Sequence, residues 1–416
     1  MNNILIASFD MEVGGVERSL ISMLENFDYK NYTVDLILHK HQGDFLNLLP
    51  NKASLLTEVP QYTTFRKSIG ETIKDRHYSI GISRVFSKIN ADLKGRLKGI
   101  AEPGYYQMQL MWKYALPFLP KVEKEYDVAI SYLWPHYFIA GKVKAKKKIA
   151  WIHTDYSTIE PDKKMDLKMW QQFDHIIAVS ESCKTSFLKK YSELENKVLI
   201  IENITSPDFI KKMANEELEN PMIRDNRFKI VTVARLSHAK GIDNAVKALK
   251  LLRDKGYSNI SWYVVGYGGD EAMIKELISK NGLEDSFILL GKQTNPYPFI
   301  KEADLYVQPS RYEGKAVTVG EAQILTKPVM ITNYPTASSQ VKDGFDGYIC
   351  ELSIEGIAQG IERLYKNLQL RNTLSNNCET ADFNNSNELE KLYKIMDINN
   401  NYSFLGTEKD SIKGVI

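Results

Sequence analysis

Short apolar runs alternate with segments of helical periodicity along almost the whole chain. The runs are rich in strand-forming residues and stop at glycine, proline or polar residues, as strands buried inside a sheet do. This alternation predicts parallel sheets covered by helices, an α/β fold. Strands are predicted at 3–8, 32–39, 127–132, 148–153, 175–180 and 198–202 in the first half, and at 229–234, 261–265, 287–290, 305–308, 329–332 and 347–350 in the second.

A polar, charge-rich segment with two prolines, residues 206–227, separates the two halves. We place a hinge at its start and predict two doubly wound domains, 1–205 and 206–380. Ligands of such folds bind beyond the carboxyl ends of the strands, so we expect these ends of both domains to face one central cleft. The segment 381–398 is predicted to hold a helix that returns to the first domain, and 399–416 to be a disordered tail.

Composition narrows the class of protein. The 416 residues are 43% hydrophobic and 25% charged, ordinary values for a globular enzyme, and a net charge of +2 does not suggest a nucleic-acid partner. The cysteines Cys183, Cys350 and Cys378 have neither a disulfide framework nor metal-ligand spacing. The N-terminus is typical of a first strand and not of a signal peptide. We therefore expect a cytoplasmic enzyme without a membrane span.

Two glutamates, Glu313 and Glu321, lie in the stretch PSRYEGKAVTVGEAQ (309–323), Glu313 in the loop after a predicted strand and Glu321 in the predicted helix that follows. This places them beside a helix N-terminus, which attracts anions. Carboxylates at such a place can accept hydrogen bonds from hydroxyls that flank the anion, as those of a nucleotide sugar flank its diphosphate. The alternative is a pair of ordinary solvated glutamates.

A second strand-to-helix loop, in FKIVTVARLSHAKGID (228–243), carries Arg235 and Lys240. Two cations five residues apart can converge on one diphosphate, arginine through a bidentate fork and lysine as a point charge. Gly266 ends a further strand, where it is either a turn residue or a nucleotide contact. The ring of Tyr297 is a candidate partner for a flat nucleobase.

In combination, these loops and the run NPYPFIKEADLYVQPSRYEG (295–314) resemble the retaining nucleotide-sugar glycosyltransferases of family 4, which have the GT-B fold of two Rossmann-like domains. The resemblance covers residues 1–375. It implies that a sugar is transferred from a nucleotide-sugar donor, a UDP-sugar, to a cell-envelope glycan, a lipid-linked acceptor or a polyanionic one.

The resemblance also implies roles for the site residues. Glu313 would hold donor-sugar hydroxyls and Glu321 the ribose hydroxyls, while Arg235 and Lys240 would neutralise the departing diphosphate. Backbone amides would assist them, namely those of Gly314, Lys315, Ala316 and Val317. No metal or other cofactor is expected, since protein cations take the place of a metal and the sequence has no Asp-x-Asp motif.

In the first half, FDMEVGGVERSL (9–20) carries Gly14 and Gly15 ahead of a predicted helix. Glycines let a backbone approach a ligand closely, although this pair alone is more typical of an ordinary turn. By the resemblance, the loop would face the diphosphate and the acceptor. His153, at the end of a predicted strand, would lie near the donor sugar, although a lone histidine is usually structural.

An insertion at 62–120 is rich in cations, with aromatic and aliphatic residues between them. Such a region can lie on an anionic bilayer, which would place the enzyme on the inner face of the membrane. The alternative, which a charge run more often signifies, is a solvated helical cap. The acids are Glu71, Asp75, Asp92 and Glu102, and the cations are Arg66, Lys67, Lys74, Arg76, Arg84, Lys88, Lys94, Arg96, Lys98 and Lys113.

Three functions remain open: a retaining glycosyltransferase, a GT-B sugar-nucleotide epimerase, and a non-catalytic nucleotide-binding subunit. An epimerase would need acids placed for water chemistry, whereas the two cations with the paired glutamates favour transfer. The presence of all charged motif residues disfavours the non-catalytic alternative.

Overall fold

The computed structural model describes residues 1–98, 104–154, 156–313, 315–383 and 385–397. The chain divides into two compact units. Unit 1 comprises Met1–Ile204 and continues from Ser386, and unit 2 comprises Thr205–Asn385. Gly314 and the segment predicted as a disordered tail lie outside the described residues.

Unit 1 contains one parallel sheet with the strand order β3-β2-β1-β4-β5-β6-β7. The central strands are almost fully buried because helices cover both faces, which explains their continuous apolar runs. The strands are β1 (Asn2–Ser8), β2 (Tyr32–Leu38), β3 (Ser54–Leu55), β4 (Tyr126–Ser131), β5 (Ala145–Ile152), β6 (His175–Ala178) and β7 (Val198–Ile200).

In unit 1, helices connect successive strands, as in a doubly wound sheet. A larger helical insertion lies between β3 and β4. The insertion consists of α2 (Pro60–Thr63), α3 (Ile69–Lys74), α4 (Tyr78–Lys98) and α5 (Gly104–Ala115). The other helices are α1 (Gly15–Glu25), α6 (Tyr137–Lys142), α7 (Lys163–Trp170), α8 (Glu181–Lys190) and, at the end of the described chain, α16 (Glu388–Met396).

The last helix, α16, is held to unit 1 by aromatic packing and hydrogen bonds. The ring of Tyr393 stacks on Tyr32 at 5.4 Å and meets Phe27 edge-on, and its hydroxyl accepts a hydrogen bond from the backbone of Asp28 at 2.8 Å. The chain therefore starts and ends its described part in the same unit.

Unit 2 contains a second parallel sheet, with the order β10-β9-β8-β11-β12-β13. Its strands are β8 (Phe228–Val233), β9 (Ile260–Val265), β10 (Phe287–Gly291), β11 (Leu305–Gln308), β12 (Val329–Thr332) and β13 (Tyr348–Cys350). Its helices are α9 (Pro207–Met213), α10 (Ile242–Asp254), α11 (Glu271–Lys280), α12 (Tyr297–Glu302), α13 (Val317–Ile324), α14 (Ile354–Lys366) and α15 (Leu368–Thr380).

In both sheets, the order in which strands are added reverses beside the first strand of the unit, although all strands are parallel. In unit 2 the chain moves outward from β8 through β9 to β10 and then resumes on the other side with β11. In unit 1 the same reversal lies between β1 and β4. The loops that leave the two strands at such a reversal diverge to opposite faces of the sheet, and the crevice between them is where folds of this class bind ligands.

Every predicted strand is present within a few residues of its expected bounds. The sequence pattern missed β3, which is two residues long with both side chains exposed, so it carries no apolar signal. In the described part of the chain, no helix is both long and apolar enough to cross a bilayer.

Candidate functional site

Glycines let the loops at the carboxyl edge of unit 2 pack directly against one another. Gly241 has φ +66°, and a Cβ there would lie 2.0 Å from the carbonyl oxygen of Pro309. The two loops are also joined by a 2.8 Å hydrogen bond from the backbone N–H of Arg311 to the carbonyl of Ala239. Gly266 has φ +151°, and a Cβ there would lie 1.9 Å from the carbonyl of Ala234. Only glycine fits these positions, so Gly266 fixes the site's backbone.

This close packing brings Lys240, from the loop after β8, against Glu313, from the loop after β11. The Lys240 Nζ donates to Glu313 Oε1 at 2.6 Å and to Oε2 at 2.5 Å. Their side chains are 27% and 6% exposed, so the lysine reaches the surface and the carboxylate lies beneath it. A charged pair thus occupies the reversal point between β8 and β11, where a ligand is expected.

A buried network supports Glu313 from below. Ser310 Oγ donates to Glu313 Oε1 at 2.7 Å, and Gln308 Nε2 donates to the same oxygen at 3.1 Å. The hydroxyl of Tyr306 lies 2.7 Å from both Gln308 Oε1 and Thr318 Oγ1, so the network runs from β11 to α13. Such second-layer contacts hold a side chain in a single orientation.

Glu321 lies in the second turn of α13 and is buried. It accepts a 2.9 Å hydrogen bond from the hydroxyl of Tyr297, whose ring is 4% exposed. This arrangement leaves little ring surface for a nucleobase, and Tyr297 instead positions Glu321. Burial raises the pKa of Tyr306, and the charges of Glu321 and Glu313 raise it further, so both carboxylates act on the same buried tyrosine.

The N-terminus of α13 has no capping side chain. Ala316 is the N-cap residue and makes no side-chain hydrogen bond to the helix, and Val317 begins the helix. The first N–H groups of a helix have no partner within it, so they are donors for an anionic ligand. Lys315, just before the cap, is exposed. The fourth predicted amide, that of Gly314, lies outside the described residues.

The two arginines of these loops differ in whether they form ion pairs within the protein. Arg311 forms a bidentate pair with Asp243, both distances being 2.7 Å, and so fastens its loop to α10. Arg235 is exposed and makes no ion pair with any residue the structure describes. Of the predicted cations, Lys240 is therefore partly neutralised by Glu313, while Arg235 retains its full charge for a ligand.

In unit 1, the predicted glycine loop leads directly into α1. Gly14 is the N-cap residue with an extended φ of −161°, and Gly15, which is exposed, begins the helix. A Cβ on Gly14 would lie 2.2 Å from Glu17 Oε2, so a side chain there would displace the flexible end of Glu17. Burial raises the pKa of Glu17 to about 7, and the nearby charge of Asp10 contributes to the shift.

His153 follows β5 and packs beside Tyr132, with 4.9 Å between ring centroids. Burial lowers the pKa of His153 to about 3, so its ring is neutral at neutral pH. The backbone of Tyr132 lies close enough to influence the ring, yet neither ring nitrogen forms a hydrogen bond of good geometry within the described structure. Both nitrogens are shielded from solvent. A buried polar group without a protein partner is unusual in a native protein and requires an explanation, of which a hydroxyl of a bound ligand is one.

Among the residues that the structure describes, no three or more His, Cys, Asp or Glu side chains are arranged to hold a metal ion.

Sequence reasoning missed the residues beneath Glu313. Gln308, Ser310 and Tyr306 bear the polar atoms of the network, and all three are buried. A signal was present: Gln308 ends an otherwise apolar strand, and a buried glutamine must find hydrogen-bond partners.

Two Rossmann-like units in one chain, each reversing beside its first strand, define the GT-B architecture. Residues 213–381, nearly all of unit 2, match the model of the family described as glycosyl transferases group 1. The matched segment contains the Lys240–Glu313 pair, the network beneath it and the N-terminus of α13.

Individual proteins agree with that family match. The chain is 31% identical to an uncharacterized glycosyltransferase of Methanocaldococcus jannaschii over 40% of this chain and 42% of the relative. It is 31% identical to the capsular polysaccharide biosynthesis glycosyltransferase CapM of Staphylococcus aureus over 49% of this chain and 55% of the relative. The alignments thus span about half the length of these curated relatives.

A solved structure resembles the whole chain. The structure of a TarM variant from Staphylococcus aureus, in complex with fondaparinux, α-GlcNAc-glycerol and UDP, superposes with a TM-score of 0.65. It covers 95% of this chain and 100% of that one at 15% identity. The likeness establishes the fold as that of a GT-B protein.

Proposed function

We propose that the protein is a retaining glycosyltransferase that moves a sugar from a UDP-sugar to an acceptor glycan of the cell envelope. The observation that carries the proposal is the Lys240–Glu313 pair at the reversal point of unit 2, close in sequence to a helix N-terminus that no side chain caps. The family match over this segment and the names of the relatives support transfer over the epimerase and the non-catalytic alternatives.

The donor diphosphate would bind between three sources of positive charge. An ammonium group has three N–H donors, and two of those on Lys240 point at Glu313, so one remains for a phosphate oxygen. Arg235 is exposed and can engage the diphosphate through a bidentate fork. The N–H groups at the start of α13 supply the third source.

These donors would act most strongly in the transition state, when negative charge grows on the leaving diphosphate. Glu313 would hold both Lys240 and a hydroxyl of the donor sugar, and Glu321, oriented by Tyr297, would hold the ribose hydroxyls. We propose that no metal ion takes part, since these groups can neutralise the leaving group. In a retaining transfer of this kind, the leaving phosphate itself would take the proton of the acceptor.

Unit 1 would serve the acceptor and the transferred sugar. Neither ring nitrogen of His153 has a hydrogen-bond partner of good geometry among the described residues, and a sugar hydroxyl could supply one. The loop at Gly14 and Gly15 would present backbone groups to the acceptor. We propose a glycan or lipid-linked acceptor because CapM is named for capsular polysaccharide biosynthesis, and a UDP-sugar because the TarM complex contains UDP.

Thermal-shift measurements with UDP-sugars, GDP-sugars, UDP and GDP test the donor site. A ligand that binds the folded state alone raises its stability by RT ln(1 + [L]/Kd), so the true donor should raise Tm. Arg235→Ala should lose this shift while its ligand-free Tm stays that of the wild type. Arg224→Ala, a matched change at an exposed arginine before β8, should retain the shift.

Transfer is tested by incubating that donor with candidate envelope glycans and determining the anomeric configuration of the product by NMR. An α-linked product from an α-linked donor supports retention, and an inverted product contradicts it. Conversion of the donor to an epimer would instead establish the epimerase. If the protein binds a nucleotide but neither transfers nor hydrolyses any donor, the non-catalytic subunit is favoured.

A further inference from the structure

The helix α4 turns its large apolar side chains outward and its small or polar side chains inward. Between Tyr78 and Leu93, Ile80 is buried, and the other buried positions are Gly81, Ser83, Ser87 and Ala91. The outer face of this part of the helix carries six large apolar side chains that are 38% to 58% exposed. We call them the α4 stripe: Tyr78, Ile82, Val85, Phe86, Ile89 and Leu93.

The members of the α4 stripe follow one another at intervals of one, three or four residues, so they form one continuous face of the helix. Ile73 of α3, which is 39% exposed, extends this face, because a Cβ on Gly81 would lie 2.7 Å from its Cγ1. Scattered single apolar residues are normal on a protein surface, but a contiguous patch indicates a binding surface.

Contacts on the inner face fix this orientation of α4. Arg84 points inward, where its Nη1 donates to the carbonyl of Thr64 at 2.6 Å and to Thr72 Oγ1 at 3.0 Å. Asn90 donates to the hydroxyl of Tyr114 on α5 at 3.1 Å. Rotating the helix to bury its stripe would break these hydrogen bonds. Arg84 is therefore a structural residue and not one of the surface cations that the sequence suggested.

Positive charge surrounds the α4 stripe, because most acids nearby are engaged within the protein. Glu71 accepts the N–H of Ser68 in the capping box of α3, and Asp75 pairs with Lys67 at 2.7 Å. Asp92 is an exposed acid on the helix itself. The exposed cations nearby are Lys74 at the end of α3, Arg76 in the turn that follows and Lys88 on α4. The sequence continues with Lys94, Arg96 and Lys98.

We propose that the α4 stripe inserts into the interface of an anionic lipid bilayer, with the surrounding cations on lipid head groups. Apolar side chains rimmed by lysine and arginine are the features by which surface helices bind such membranes. This inference concerns unit 1 and does not depend on the donor chemistry proposed for unit 2.

A helix pair with a second copy of the chain fits the stripe less well. Paired helices need apolar residues at every first and fourth position of a heptad. Here the series Tyr78 and Val85 continues with Asp92, and the series Ile82 and Ile89 continues with Arg96. Both seams thus become charged at the third repeat, whereas the wide face from Ile82 to Leu93 suits a planar surface.

Cosedimentation with vesicles of phosphatidylglycerol and phosphatidylcholine, or of phosphatidylcholine alone, tests the proposal. The wild type should bind the anionic vesicles, and more weakly at high salt because the attraction is screened. Changing Ile82, Phe86, Ile89 and Leu93 together to glutamine, a good helix former, should weaken binding by about tenfold or more. Lys74→Gln with Lys88→Gln should weaken it about fivefold per charge at low salt.

Two controls keep the test specific. Ile223→Gln with Leu368→Gln removes apolar side chains that are 64% and 59% exposed on unit 2, and should leave vesicle binding unchanged. The three native cysteines are buried, so Ile89→Cys can be labelled with an environment-sensitive fluorophore. Its emission should rise and shift to the blue on anionic vesicles.

Several results would overturn the proposal. They are absence of binding by the wild type, equal binding to neutral vesicles, or full binding by the glutamine variant. Light scattering tests the other occupant. If the wild type is a dimer, the glutamine variant is a monomer and neither binds vesicles, the α4 stripe pairs with a second copy of the chain. Circular dichroism and thermal unfolding measured in parallel show whether each variant is folded.

Discussion

Glu313 and His153 each follow a strand of a parallel sheet, and both sheets have the same reversal of strand order. The two side chains differ in their hydrogen bonds. Glu313 accepts hydrogen bonds from Lys240, Ser310 and Gln308. His153 is also shielded from water, yet its two ring nitrogens have no partner in the described structure. A satisfied buried group supports the fold, whereas an unsatisfied one costs stability. If the proposed function is right, unit 2 receives its ligand through charge, and unit 1 through hydrogen-bonding capacity that the described protein atoms leave unfilled.

The largest effect is expected from the charged pair. Glu313→Gln and Lys240→Ala should each lower kcat by about 100-fold to 1000-fold, the range for removing one group that stabilises transition-state charge. Lys240→Ala should also destabilise the protein by about 1 to 3 kcal/mol, because the buried carboxylate loses its cation. Steady-state kinetics and denaturant unfolding measure the two effects.

The double variant sharpens this prediction. If the two residues act as a unit, combining the changes should cost little more than either alone. Lys250→Ala removes a lysine paired with Asp254 at the surface and is the matched control, with a stability change within about 1 kcal/mol and normal turnover. Turnover within about threefold of wild type for either Glu313→Gln or Lys240→Ala would remove both residues from the site.

At His153 we expect a smaller effect, in which activity falls while stability rises. His153→Phe should lower kcat/KM by about 10-fold to 100-fold, the loss of one or two hydrogen bonds to the bound sugar. The same change should raise the free energy of unfolding by about 1 kcal/mol, because it keeps a ring beside Tyr132 and removes two unsatisfied nitrogens. Loss of stability would show that the nitrogens have partners and would end the contrast with Glu313.

His136 provides the matched control. It is more fully buried than His153, and its Nδ1 lies 2.8 Å from Ser131 Oγ. His136→Phe leaves that hydroxyl without its partner and should therefore destabilise the protein, the opposite sign to His153→Phe.

The pH dependence of stability gives a finer test. Burial lowers the pKa values of His39, His136 and His153 to about 3 each. Between about pH 6.5 and 3 the unfolded chain therefore binds protons at these positions and the folded chain does not. Each histidine contributes stability that is present above pH 6.5 and is lost on acidification, by about 1.4 kcal/mol per pH unit. His153→Phe should reduce this slope by one such contribution, as measured by denaturant unfolding from pH 7 to 5.

Much of the fold follows from the sequence because buried parallel strands carry long apolar runs. The positions of Lys240 and Glu313 in strand-to-helix loops could be predicted for the same reason. Their direct contact could not, since they are 73 residues apart and meet only because β11 lies beside β8. Strand order is a tertiary property that periodicity does not reveal.

Orientation was the other quantity the sequence could not supply. Tyr297 was expected to offer its ring to a ligand, but it lies buried with its hydroxyl on Glu321. Arg84 was counted among surface cations, but it points inward to Thr64. In both cases the residue type is compatible with either role, and packing against elements distant in sequence decides between them.

The smallest effect is expected from removing metal ions. The proposal assigns the neutralisation of the diphosphate to Arg235, Lys240 and the N-terminus of α13, so EDTA should leave the transfer rate unchanged. The measurement is a comparison of initial rates with and without chelator for the wild type and for Arg235→Ala. If a cation helps, added Mg²⁺ or Mn²⁺ should rescue Arg235→Ala selectively, because the metal replaces the missing charge. Loss of wild-type transfer in EDTA, restored by either ion, would show that unit 2 is less completely prepared by charge than its contrast with unit 1 suggests.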